Sequence, residues 1–164
     1  MIEIEESGMQ FGPFDESEIF YIESSELFKS IKNAKTVEFI LRGTDRLKFV
    51  EAKSSSPQNK PDKKMNFDSY IRDISDKFLH SLNLYCSAIL ERHQESNDIP
   101  ADFTTIDHSK IKILFLLIIK KSELDWLPPV NEALIKELSP YRSIWNLEVA
   151  VLNEEMAREH KLIR

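Results

Sequence analysis

The chain has 164 residues, 41% of them apolar and 10% aromatic, and its 22 Lys and Arg against 28 Asp and Glu leave a net charge of −6. That length supports one domain, residues 1–164, with a real hydrophobic core, and three Gly beside seven Pro exclude a fibrous or low-complexity chain. The acidic balance does not itself attract polyanions, and the single cysteine, Cys86, excludes an intrachain disulfide framework.

The N-terminus "MIEIEESG" is acidic and lacks the apolar core of a signal peptide. The longest apolar run, "ILFLLII" at 113–119, is too short to span a bilayer. Together these point to a soluble cytoplasmic protein.

"IEIEE" alternates and predicts a first strand; "GMQFGPFDES" reads as turn. "EIFYIE", residues 18–23, predicts a second strand. "SSELFKSIKN" predicts a short helix with Ser24 or Ser25 as N-cap and Leu27, Phe28 and Ile31 on one face. A hairpin follows, with strands near 36–42 and 47–53. "SSSPQNKPDKKMN" is a polar loop carrying Lys60, Lys63 and Lys64.

Residues 66–94 place Phe67, Tyr70, Ile71, Ile74, Phe78, Leu82, Tyr85 and Ile89 at steps of three and four, which predicts a long amphipathic helix. "ESNDIPADFTTIDHS" reads as loop. "KIKILFLLIIKK" is apolar on both faces, as a doubly covered central strand would be. "PPVNEALIKELSP" predicts a helix that begins after proline and stops at Pro140. "IWNLEVAVLN" predicts a strand, and "NEEMAREHKLIR" a closing helix capped by Asn153. The fold class is α/β or α+β: one domain with a mixed sheet flanked by helices.

The hairpin raises the sharpest chemical question. With its turn symmetric about Thr44 and Asp45, Gly43 faces Arg46, Glu38 faces Glu51 and Thr36 faces Lys53. Alternation then puts Thr36, Glu38, Ile40, Leu47, Phe49, Glu51 and Lys53 on one face, and Val37, Phe39, Leu41, Val50 and Ala52 on the other. Like charges directly opposite on a sheet repel, and a low dielectric raises the pKa of one or both. Lys53 on the same face relieves this. A divalent cation between the carboxylates would relieve it further, because hard cations prefer oxygen ligands. The alternative is an edge hairpin with solvated glutamates, one of them paired to Lys53.

An acidic residue on one strand followed by Glu51-Ala52-Lys53 on the next resembles the PD-(D/E)xK nuclease superfamily. The order around it, a helix, a hairpin, a long helix and an apolar strand over residues 24–120, fits as well. The resemblance implies a restriction-endonuclease-like fold and hydrolysis of phosphodiesters. It implies that Glu38 and Glu51 bind Mg²⁺ or Mn²⁺, that Ala52 lends its carbonyl, and that Lys53 positions or activates the water. Glu26, with Glu23 as its neighbour, would be the acid of the first helix. Lys60, Lys63 and Lys64 would meet nucleic-acid phosphates, although such a run is also the usual content of a solvated loop. Here the acid at position 38 is Glu rather than Asp, no proline precedes it, and Pro61-Asp62 lies after the triplet.

Elsewhere the chain offers little chemistry. His80, His93, His108 and His160 have no metal-ligand spacing. Cys86 reads as a core thiol, and no Gly-rich phosphate loop or nucleophile elbow occurs. Two functions remain: a metal-dependent nuclease acting on DNA or RNA, or a non-catalytic module binding a protein partner, homo-oligomerisation included, with no membrane partner in either case.

Overall fold

The computed structural model describes residues 1–164. Its frame is a five-stranded mixed sheet of β3 (Ile19–Phe20), β4 (Phe39–Arg42), β5 (Arg46–Lys53), β6 (Lys112–Ile119) and β7 (Glu148–Asn153), in that spatial order. β3, β4 and β5 are antiparallel, whereas β5, β6 and β7 are parallel. Parallel neighbours need crossovers. The long helix α2 (Lys64–Ile89) lies between β5 and β6, and α4 (Leu127–Glu137) between β6 and β7.

Both crossover helices cover one face of the sheet. Phe67, Ile71, Ile74, Phe78, Leu82 and Tyr85 of α2 join Leu47, Phe49, Phe115 and Leu117 in the larger core, with Val130 and Leu134 of α4 beside them. Phe78 stacks on Phe115 at 4.7 Å between centroids, and Phe49 meets Phe115 edge-on at 5.6 Å.

The other face packs against a separate antiparallel hairpin, β1 (Ile2–Glu6) and β2 (Met9–Phe14), and against α6 (Glu154–Glu159), which Asn153 caps by accepting from the Met156 N–H. Residues beyond α6 return to that hairpin. Gly12 donates to the Leu162 carbonyl, Arg164 donates to the Gln10 carbonyl, and Phe11 bridges Ile163. Cover on both faces explains the unbroken apolar run of β6: Phe115, Leu117 and Ile119 face the helices, Leu116 and Ile118 the hairpin.

Several boundaries differ from the sequence expectation. Residues 9–14 form β2 rather than a turn. Gly12 holds φ +95°, where a Cβ would come within 2.7 Å of the Ile2 carbonyl oxygen, while the Pro13 side chain faces solvent on a two-stranded edge. The strand expected over 18–23 shrinks to Ile19–Phe20 before a 3-10 turn at Ile22–Ser24. Ser25 caps α1 (Glu26–Ser30). Within the expected loop before β6, Pro100 leads into a single helical turn, α3 (Ala101–Thr104). Pro140 does not end the chain's helical run; it sits in the first turn of α5 (Ser139–Trp145), where a missing N–H costs nothing. Ile144 and Trp145 therefore belong to a helix and not to β7.

The hairpin has the expected register, with Phe39 opposite Val50, Ile40 opposite Phe49 and Leu41 opposite Lys48. Its first strand, however, starts at Phe39 and not at 36. Continuing the ladder would pair the Val37 N–H with the Ala52 carbonyl. Instead the Val37 N–H donates to Ser81 Oγ of α2 at 2.8 Å, and the Ala52 carbonyl accepts the Ser7 hydroxyl at 3.0 Å. The Lys35 N–H likewise goes to His80 Nδ1 at 3.0 Å. Residues 35–37 thus run along α2. Glu38, between the two courses, donates its N–H to the carbonyl of Val50, the residue already facing Phe39. Two residues oppose one, as in a β-bulge.

Ser81 is fully buried and serves a buried N–H. Ser81→Ala should therefore cost about 1–3 kcal/mol, the penalty of an unpartnered buried donor. Urea denaturation should show a lower midpoint at an unchanged slope; an unchanged midpoint would mean that water reaches Val37.

Candidate functional site

The break in the ladder gathers acids at one end of the hairpin. Glu51 projects from β5 toward α2 and is wholly buried. Its Oε1 lies 3.0 Å from Lys53 Nζ, two residues along the same strand face, and 2.8 Å from Lys77 Nζ of α2. Its Oε2 is buried with no hydrogen-bond partner. Burial pushes Glu51 above the usual carboxylate range, against the pull of Lys77 and Lys53. Lys77 is half-buried; desolvation disfavours its charge, yet Glu51, with Glu38 and Glu23 behind it, raises its pKa overall.

Glu38 is 5% exposed, and its Oε2 also lacks a partner. Its carboxylate meets those of Glu6, at the end of β1, and Glu23, in the 3-10 turn before α1; oxygens of all three lie within 4.8 Å of one another. The Glu23 N–H donates to the Glu38 carbonyl oxygen at 3.4 Å, which holds the turn against the bulge. Burial first, then a hydrogen bond with Glu23, then the charges of Glu51, Glu23 and Glu6 push Glu38 up to about 9. Tyr21 donates its hydroxyl to Glu6 Oε1 at 2.6 Å, and its own pKa rises to about 12 through burial and that bond. The Tyr70 hydroxyl, buried and unpartnered, is raised by burial and by Glu51.

The expected residues divide accordingly. Glu51 and Lys53 are in direct contact, and Glu38 is close enough to feel the Glu51 charge. Glu26 does not join them: it is exposed and pairs with Lys29 at 2.8 Å, because Ser25 caps α1 and turns its first residue outward. Glu23 stands at the cluster instead. The Ala52 carbonyl already accepts the Ser7 hydroxyl. Lys60, Lys63 and Lys64 are exposed on the segment leading into α2; Lys64 pairs with Asp68 at 3.4 Å, and none of the three pairs with the clustered acids.

Sequence reasoning missed Lys77 and Glu6, although each left a trace. Lys77 interrupts the stripe between Ile74 and Phe78 and falls in step with Ser81. Glu6 shares its strand parity with Ile2 and Ile4. None of the five principal surface clefts includes Glu38, Glu51 or Lys53. Comparison with family models, curated proteins and solved structures finds no match to this chain.

The raised pKa of Glu38 has a sign that can be measured. Between pH 4.5 and about 9 the folded chain keeps a proton that the unfolded chain releases. Its contribution to stability is therefore full below pH 4.5 and is lost as pH rises through 9. Glu38→Gln should match the wild type near pH 4 and exceed it at pH 8 in the absence of metal, by roughly 1–3 kcal/mol, since each pKa unit is worth about 1.4 kcal/mol. Denaturant titrations at the two pH values decide this; a difference from wild type that is the same at both would show that folding does not shift the Glu38 pKa.

Proposed function

We propose that the chain is a metal-dependent phosphodiester hydrolase of the PD-(D/E)xK type, acting on DNA or RNA. The observation that carries this reading is the pair of buried, unpartnered oxygens, Glu38 Oε2 and Glu51 Oε2, beside a lysine that already touches Glu51. Once the proton that Glu38 keeps in the absence of metal is displaced, both are hard anionic donors that suit Mg²⁺ or Mn²⁺. When bound, such an ion supplies Lewis acidity to a water and to a phosphate oxygen.

The remaining work falls to the chain. Glu38 and Glu51 hold the charge in place. Lys53, 28% exposed at its side chain, reaches solvent while Glu51 fixes its ammonium, so it can orient a water and offset charge on the phosphate. Hydrolysis adds the water oxygen to phosphorus and breaks the ester P–O bond, with the water's proton passing to solvent and another returning to the leaving oxygen. Lys60, Lys63 and Lys64, exposed just beyond β5, would bind flanking phosphates.

Ser7 on the Ala52 carbonyl and Lys77 on Glu51 favour a second reading. Both groups neutralise internally what a metal would otherwise meet, as in a module that keeps the scaffold and binds a protein partner.

Incubation with single- and double-stranded DNA and with RNA, in Mg²⁺ or Mn²⁺ against EDTA, tests the hydrolase. Metal-dependent cleavage is expected, abolished by Glu38→Gln or Glu51→Gln. Lys53→Ala should fall by 10²–10⁴-fold, the usual contribution of a general acid–base group, while keeping its metal-induced rise in Tm. Wild-type protein that cuts no substrate, with a Tm unmoved by millimolar Mg²⁺ or Mn²⁺, would leave the binding module.

A further inference from the structure

The β1–β2 hairpin lies outside the segment whose order suggested a nuclease, yet its turn is fastened to the acidic end of the core sheet. Three consecutive residues are tied down by three different elements. Tyr21, just past β3, donates to Glu6 at 2.6 Å; Ser7 donates to Ala52 of β5 at 3.0 Å; and the Lys120 ammonium, just past β6, donates to the Gly8 carbonyl. Glu6 is thereby set, rather than left to swing, against Glu23 and Glu38.

No ammonium contacts the three carboxylates, although Lys77 lies close enough to feel the charges of Glu38 and Glu23. No lysine or arginine of the chain forms an ion pair with Glu6, Glu23 or Glu38, and the ammonium of Lys77 is engaged by Glu51. The carboxyl that Glu38 turns toward the other two is more than nine-tenths buried; it shares a hydrogen bond with Glu23, and its Oε2 has no partner. Such an atom is costly unless a cation or a donor meets it. Oxygens that share one ion at about 2.0–2.6 Å lie at most about 4–5 Å apart, and the three carboxylates satisfy this.

We propose that Glu6, Glu23 and Glu38 together hold a divalent cation of the oxygen-preferring class, so that the N-terminal hairpin supplies part of the ion's coordination shell. The proposal deepens the hydrolase reading, with which it shares Glu38, but does not require catalysis. The site lies where the bulge, the 3-10 turn and the hairpin turn meet, and Tyr21 steadies the Glu6 carboxylate by donating to its Oε1.

Mn²⁺ is the probe, titrated calorimetrically and by its electron paramagnetic resonance signal into the full chain. Glu6→Gln retains an acceptor for Tyr21 and removes the charge; it should weaken Mn²⁺ binding at least tenfold. Glu5→Gln, exposed on the same strand, should leave it unchanged. Glu23→Gln should repeat the loss, and guards against a folding defect in Glu6→Gln, which circular dichroism and the Tm in EDTA also report. Wild-type affinity in both Glu6→Gln and Glu23→Gln would overturn the proposal, as would a wild type that binds no Mn²⁺ at millimolar concentration. Cleavage assayed in the same samples separates the two ideas. Mn²⁺ bound through Glu6 without cleavage ends the hydrolase and keeps the site; Mn²⁺-dependent cleavage indifferent to Glu6→Gln does the reverse.

Discussion

A carboxylate closed off from water sits at Glu51, and the surrounding structure is arranged to tolerate it. An isolated buried charge is unaffordable in a low dielectric. Glu51 is kept by two ammonium groups on one of its oxygens, Lys53 from its own strand and Lys77 from α2. That arrangement fixes the rotation of α2 about its axis: with Lys77 aimed at β5, Ser81 one turn on reaches Val37, while Phe78 faces Phe115. Breaking one partner of such a pair is far more damaging than replacing both with apolar groups. The polar contact therefore specifies how the helix seats, while Phe49, Phe78 and Phe115 pack among the 25 buried residues of the core on that face.

The bulge at Glu38 follows from the same seating. A continuous ladder would have set Glu38 directly across from Glu51, with two carboxylates facing each other in the interior. Serine hydroxyls take over the two backbone groups that the interrupted ladder leaves behind, one from α2 and one from the N-terminal hairpin. Glu38 is released toward Glu6 and Glu23, and the acids are spread around the sheet end rather than opposed across it. Burial first, then the hydrogen bond with Glu23 and the charges of Glu51, Glu23 and Glu6, keep the pKa of Glu38 high even so.

Much of the frame was legible in the sequence because its signals are local and periodic. The stripe of α2 from Phe67 to Tyr85 and the two-faced run of β6 each carry their own pattern, whereas Thr44-Asp45 is no favoured hairpin turn and the register about it follows only from an assumed symmetry. The errors fall where a distant partner decides. The stretch that holds Pro13 reads as turn and Pro140 as a helix stop, yet one proline lies on an edge and the other in a first helical turn, and only the assembled fold distinguishes these settings. The start of β4 depends on Ser81, more than forty residues away. Of the candidate site, Glu51 and Lys53 share a strand, so their contact follows from alternation alone. The approach of Glu6 and Glu23 to Glu38 depends on how the hairpin and the 3-10 turn dock, which composition and spacing do not encode.

The return of residues 162–164 to β2 bears on how the chain acquires its structure during synthesis. The outer hairpin is held by Gly12 to Leu162, by Arg164 to Gln10 and by the Arg164–Glu3 ion pair, all between segments about 150 residues apart. Such contacts close the longest loop in the chain and form late. A nascent chain lacking residues 162–164 would carry Ile4, Phe11 and Phe14 on a hairpin whose apolar side is only partly covered, exposed to chaperones and proteases until those residues emerge from the ribosome.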